Sequence, residues 1–219
     1  MRIAPFRSFC ETHAPRLLTT PVQRMQGWAL LAIVLWLPGL GGALKNSMLS
    51  HMGVQLSLLV VAGYGLGRAW LAHRPEHLQT ARRYRWALML MAVFTLMVWM
   101  LPRLLDLAVD RPEVDLLKAL SLFWCAGVPL AWAWPQLPTV AQGVLHLEAL
   151  ATLWRMGWLY LESPSRWCLR YGLDDQHNLG RGLMAAGLVY AVWLAFAALR
   201  GQALPTAPSQ ANTALARMP

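Results

Sequence analysis

Six apolar stretches, each about twenty residues long, fill most of the 219-residue chain: 26–44, 54–72, 86–105, 116–134, 140–161 and 182–199. A hydrocarbon core of ~30 Å is crossed by about 20 residues of helix rising ~1.5 Å each. The stretches hold too few Val, Ile and Thr in period two to be barrel strands. In lipid, a helix satisfies its own backbone groups segment by segment. The expected fold is therefore all-α: a polytopic membrane protein, a bundle of about six transmembrane helices. Residues 1–25 are expected to form a cytoplasmic or interfacial segment and 26–200 the bundle. Residues 201–219, rich in Ala, Pro, Ser and Thr, read as a flexible cytoplasmic tail.

Apolar residues make up 57% of the chain and charged residues 13%, the reverse of a disordered or nucleic-acid-binding sequence. The twelve tryptophans gather near stretch ends and within stretches three to five, as interfacial aromatics and large packing groups do. The net charge of +9 is carried by connecting segments, with no basic run interleaved with aromatics, so nucleic acid is not an expected partner and the charge reads as topology. Arg2, Arg7, Arg16 and Arg24 precede the first stretch, Arg68, Arg74, Arg82, Arg83 and Arg85 follow the second, and Arg200 and Arg217 follow the sixth. Six crossings put these segments on one side, and the bias of Lys and Arg toward the cytoplasm makes that side the inside. The expected location is a bacterial inner membrane, with both termini cytoplasmic. The first 24 residues lack the short apolar region and small-residue cleavage site of a signal peptide.

Cys10, Cys125 and Cys168 fall at three different depths, so no disulfide is expected. There is no Cys-x-x-Cys pair, no Gly-rich phosphate loop and no nucleophile–base pair at one depth. An enzyme is not expected.

The polar residues of interest gather toward the outer face. His51 and Gln55, four apart, share one helix face at the outer end of the second stretch, with Met48 and Met52 beside them. Imidazole with thioether suits Cu(I). The same residues also suit an interfacial histidine bonded to a loop, with methionines as packing groups. Arg103 closes the third stretch, and Asp174, Asp175, Gln176 and His177 precede the sixth. That acidic run either binds a cation or caps the coming helix and pairs with Arg103 or Arg181. In the fifth stretch, His146, Glu148 and Arg155 are costly to face lipid, since a central charge costs ~2.5–3.5 kcal/mol. They are either functional or a buried polar link. His51 and His146 differ in depth by roughly 15 Å, which excludes them as axial ligands of one haem.

Three segments resemble the CtaG-like cytochrome c oxidase assembly family, membrane proteins linked to copper insertion. Ser47-Met48-Leu49-Ser50-His51-Met52-Gly53-Val54-Gln55 is similar to its His-Met-x-x-His segment. Leu145-His146-Leu147-Glu148-Ala149 is similar to its His-x-x-Glu-His helix, and Asp175-Gln176-His177-Asn178-Leu179-Gly180 to its Asp-Gln-x-x-x-Gly entry to the last helix. They occur in family order across residues 47–199. Gln55 and Ala149 stand where the family has histidines, and six stretches stand against an expected seven. The resemblance implies a protein assisting assembly or stability of a respiratory copper or haem–copper oxidase. It would hold Cu(I) through His51, Met52 and Met48, with Gln55 a weak or supporting ligand and Asp175 and Gln176 holding the outer loops. Two other readings stand beside it. One is an accessory structural subunit of a larger membrane complex, without metal; the other is a small transporter using His146, Glu148 and Arg155. The lipid bilayer and other membrane subunits are the expected partners.

Overall fold

The computed structural model describes residues 21–36, 47–164 and 171–199. They form helices α1 (Pro21–Trp36), α2 (Leu49–His73), α3 (His77–Arg83), α4 (Arg85–Trp99), α5 (Pro102–Asp110), α6 (Pro112–Gln136), α7 (Thr139–Glu162) and α8 (Leu173–Leu199), with no strand among the described residues. Helix α2 opens with π-helical turns over Leu49–Gln55, and α6 carries a second π segment, Leu122–Gly127. Three helices, α2, α6 and α8, are long and apolar enough to cross a membrane; α4 and α5 make a fourth if taken together as one broken span.

The third apolar stretch is not one straight helix. It ends at Trp99, and Pro102, which lacks an N–H and fits a first helical turn, starts α5 at 74° to α4. The connection between the third and fourth stretches, 106–115, is largely helical, because Pro112 starts α6 before the apolar run begins. Helix α8 likewise starts at Leu173, not near 182. The outer end of the first stretch, both terminal segments and the turn 38–46 lie outside the described residues.

Close approach between helices is set by small residues. A Cβ on Gly63 of α2 would lie 2.3 Å from the carbonyl oxygen of Phe123, and one on Gly127 of α6 would lie 2.7 Å from the Gly63 Cα. Gly67, four residues on, meets Ala131 in the same way, at 2.8 Å. This is the small-xxx-small packing by which apolar helices associate when no hydrophobic drive exists between them. On the other face of α2, the Trp28 ring of α1 lies over Gly65. Helices α7 and α8 pack as an antiparallel pair, with Gly157 against Gly180 and Trp154 over Gly187. That pair meets the remaining helices through the opening of α2, where Leu49 covers Gly182 and Met52, Tyr160 and Leu179 share one core.

Gly63→Val should push α2 off α6 and lower the thermal midpoint in detergent, at a cost of about 1–3 kcal/mol or more from overpacking against backbone. Gly143→Val, where no atom lies within 4 Å of the added Cβ, should leave it nearly unchanged. Equal midpoints for the two variants would remove the glycine crossing as the organising contact.

Candidate functional site

The opening of α2 buries a continuous face: His51, Met52, Gln55, Leu56 and Leu59. Helix α6 buries Asp115, Lys118, Ala119, Leu122 and Ala126, the three-and-four spacing of one helix face. The two faces meet, and their polar members meet with them. Lys118 has no exposed surface, yet its ammonium lies 2.7 Å from Asp115 Oδ1, one turn earlier on the same helix. The same Nζ reaches His51 Nε2 and Gln55 Oε1, each at 3.4 Å. These lengths rank the contacts: a close ion pair with Asp115, and two long hydrogen bonds across to α2. Ser121 donates to the Lys118 carbonyl at 3.1 Å and accepts from Trp99 Nε1 at 2.7 Å, tying α4 to the same point. The ring of buried Tyr171, just before α8, stands 6.5 Å from that of His51.

An ammonium has three donors and no acceptor. His51 Nε2 must therefore be the acceptor of its contact, which puts the ring proton of a neutral imidazole on Nδ1. In that tautomer the Nε2 lone pair faces the Lys118 ammonium, and a cation at Nε2 would sit against a positive charge. Met48 and Met52 are buried in the apolar core around this point. The described residues hold no group of three or more His, Cys, Asp or Glu able to bind a metal ion. A Cu(I) ion at His51 Nε2 would have to displace the Lys118 contact.

The other residues singled out in the sequence are dispersed. Gln176 is buried and its amide donates to the Tyr160 carbonyl at 3.3 Å, joining the start of α8 to the end of α7. Asp175 is half-buried one residue earlier, and Arg103 is exposed at the start of α5. His146 faces α8, where its Nδ1 hydrogen-bonds the Tyr190 hydroxyl and its ring sits among Trp134, Tyr190 and Trp193. Glu148 and Arg155 pair directly with each other on the outside of α7, so they form no link to another described helix. His146, Glu148 and Arg155 thus line no common path.

Lys118 and Asp115 carry the site; Asp115 lay just before the fourth apolar stretch and Lys118 at its first turn, and neither was singled out. The signal for them was Pro112: a helix starting there puts 115 and 118 one turn apart on the stripe that continues through 122 and 126.

Comparison with protein-family models, curated proteins and solved structures gives no match.

Removing one partner of a buried ion pair strands the other charge, which costs about 3–5 kcal/mol, whereas replacing both with apolar groups is often neutral. Asp115→Ala should therefore lower the thermal midpoint sharply, and Asp115→Leu combined with Lys118→Met should restore most of the loss. A double variant as unstable as the single one would contradict the pairing.

Proposed function

We propose that this is a multi-pass, non-enzymatic protein of a bacterial inner membrane, with both termini cytoplasmic, that assists assembly or stability of a respiratory copper or haem–copper oxidase. It acts as a scaffold and does not carry copper. One observation supports the family part of this reading above the others. Two of the three CtaG-like segments, 47–55 and 175–180, are separated by more than a hundred residues, yet they share a core through Met52 and Leu179, and residues flanking the second, Tyr171 and Gly182, meet His51 and Leu49 of the first. The third segment, at 145–149, takes no part in that cluster.

The scaffold version follows from Lys118. In a copper carrier, His51 would need a lone pair free for the metal; here Nε2 accepts from an ammonium, and Gln55 faces the same charge. The network ties the start of α2 to α6 and leaves α7 and α8 to be held by packing. Such an arrangement suits a protein that presents fixed outer surfaces to a partner during assembly. The exposure of Glu148 and Arg155 on the outside of α7 weighs against the transporter reading, since a permeation path needs its charges inside.

Purification from native membranes in mild detergent tests both parts. An oxidase subunit or assembly intermediate should copurify at fixed stoichiometry, and the protein should contain far less than one copper per chain. Stoichiometric Cu(I) that is lost in His51→Ala would overturn the scaffold version. Absence of any oxidase component would overturn the assembly reading itself.

A further inference from the structure

The outside of α7 is chemically unlike the outside of its neighbour α8. From residue 185 onward the exposed residues of α8 are alanines and the large apolar groups Leu188, Val189, Val192, Trp193, Phe196 and Leu199, a surface made for lipid. On α7, Glu148, Thr152 and Arg155 follow each other at spacings of four and three, and so lie on one face. Their side chains engage each other: Arg155 pairs with Glu148, and Thr152 Oγ1 reaches the same Glu148 oxygen at 3.5 Å. The pair nonetheless remains 64% and 62% exposed.

On the membrane reading, α7 crosses as the fifth stretch, although it is not among the three helices apolar enough to span, and the depth of this patch then decides what it means. Helix α7 runs antiparallel to the apolar span α8, with residue 157 against 180, 154 against 187, and 146 against 190. Glu148 lies nine residues from the start of α7 and Arg155 seven from its end, roughly 13 and 10 Å at ~1.5 Å per residue. Neither can snorkel to water over that distance without abandoning the other. An exposed charge at such a depth costs ~2.5–3.5 kcal/mol on insertion scales, which pairing offsets only in part. A groove of about 70 Å³ runs beside Thr152, lined by Met52, Met100, Leu153, Met156 and Leu183. Methionine-rich walls of that kind accept the side chains of an incoming helix.

A second copy of this chain is a poor occupant. Two copies inserted in the same sense and related by a two-fold axis along the membrane normal bring their α7 helices together in parallel. Glu148 then stands level with Glu148 and Arg155 with Arg155, like against like.

We propose that the outer face of α7, centred on Glu148, Thr152 and Arg155, docks a transmembrane helix of a different subunit. That helix presents a hydrogen-bond donor at the level of Glu148 and a carboxylate or amide at the level of Arg155. The inference rests on the membrane reading above, but not on the partner being part of an oxidase.

The test uses the full-length protein in its native membrane, with a photocrosslinking residue at position 152 and, as a control on the lipid face of α8, at position 192. Position 152 should give an adduct with a transmembrane segment of another protein that contains a polar residue near the crosslink, and position 192 should give none. A second variant, Glu148→Arg with Arg155→Glu, keeps the pair within α7 but inverts its direction. It should keep the thermal midpoint of the unmodified protein and reduce the adduct at least severalfold. Equal labelling from both positions, an adduct only with a second copy, or an adduct insensitive to the inversion would overturn the proposal. If the inverted variant does not fold, the sequence of the crosslinked segment decides: an entirely apolar segment overturns the proposal, and a polar one upholds it. A partner that meets these conditions but belongs to no oxidase would uphold the docking face and count against the oxidase reading.

Discussion

A lysine ammonium enclosed on every side by protein makes the strongest demand in this structure. Lys118 has no exposed surface, and a charge so placed is tolerated only where an opposite charge and further acceptors meet it. Asp115 supplies the charge from the preceding turn, and His51 and Gln55 supply acceptors from another helix. Meeting that demand fixes the rotation of α2 against α6, because turning either helix by one residue would carry the acceptors away. The Asp115–Lys118 pair by itself contributes little net stability relative to an apolar replacement. Its effect is to exclude other registers between two helices whose remaining contact surface is mostly Leu, Ala and Gly. The polar network thus acts on specificity, while the glycine crossing supplies the closeness.

These two devices lie along the same pair of helices. Gly63, Gly67 and Gly127 bring the backbones of α2 and α6 together farther along, and the polar contacts lock their upper turns. Both helices are π-helical in part, over Leu49–Gln55 and Leu122–Gly127. A π segment widens the turn and shifts the following residues around the axis. In α2 it lets His51, Met52 and Gln55 share the buried side with Leu56 and Leu59. The α7–α8 pair is then attached at this ordered end through Leu49, Met52 and Leu179. An accessory role in a larger complex is consistent with such a build: one end tied together around Lys118, and a neighbouring helix, α7, with charged residues left facing outward.

Much of the architecture was legible from apolar length alone. Stretches 54–72, 116–134, 140–161 and 182–199 correspond to helices because a run of about twenty apolar residues has few other stable forms. The pairing of His51 with Gln55 on one face followed from their spacing of four. Three features were not legible in that way. Hydropathy drops at Arg111–Asp115, so the start of α6 read as loop, although Pro112 marked a helix start. The break at Pro102 fell inside the apolar stretch 86–105, whose length alone gave no sign of it; only the proline, with Arg103 after it, marked the place. Lys118, at the start of the fourth stretch, was not singled out, since nothing in one sequence tells which side of a helix a neighbour will cover. Residue type limits which side chains can meet in the interior; only tertiary packing decides which do.

The claim on which the account depends is that Lys118 is sealed between α2 and α6. It is tested most directly by the reactivity of its amine toward a small membrane-permeant acylating reagent, followed by mass spectrometry of the peptide that contains it. In the folded protein Lys118 should remain unmodified and should react fully only after denaturation. Asp115→Leu with His51→Leu should raise its reactivity if the fold loosens around it. Acylation of Lys118 in the folded protein at the rate of a free lysine would mean that the amine is open to solvent, and would contradict the account.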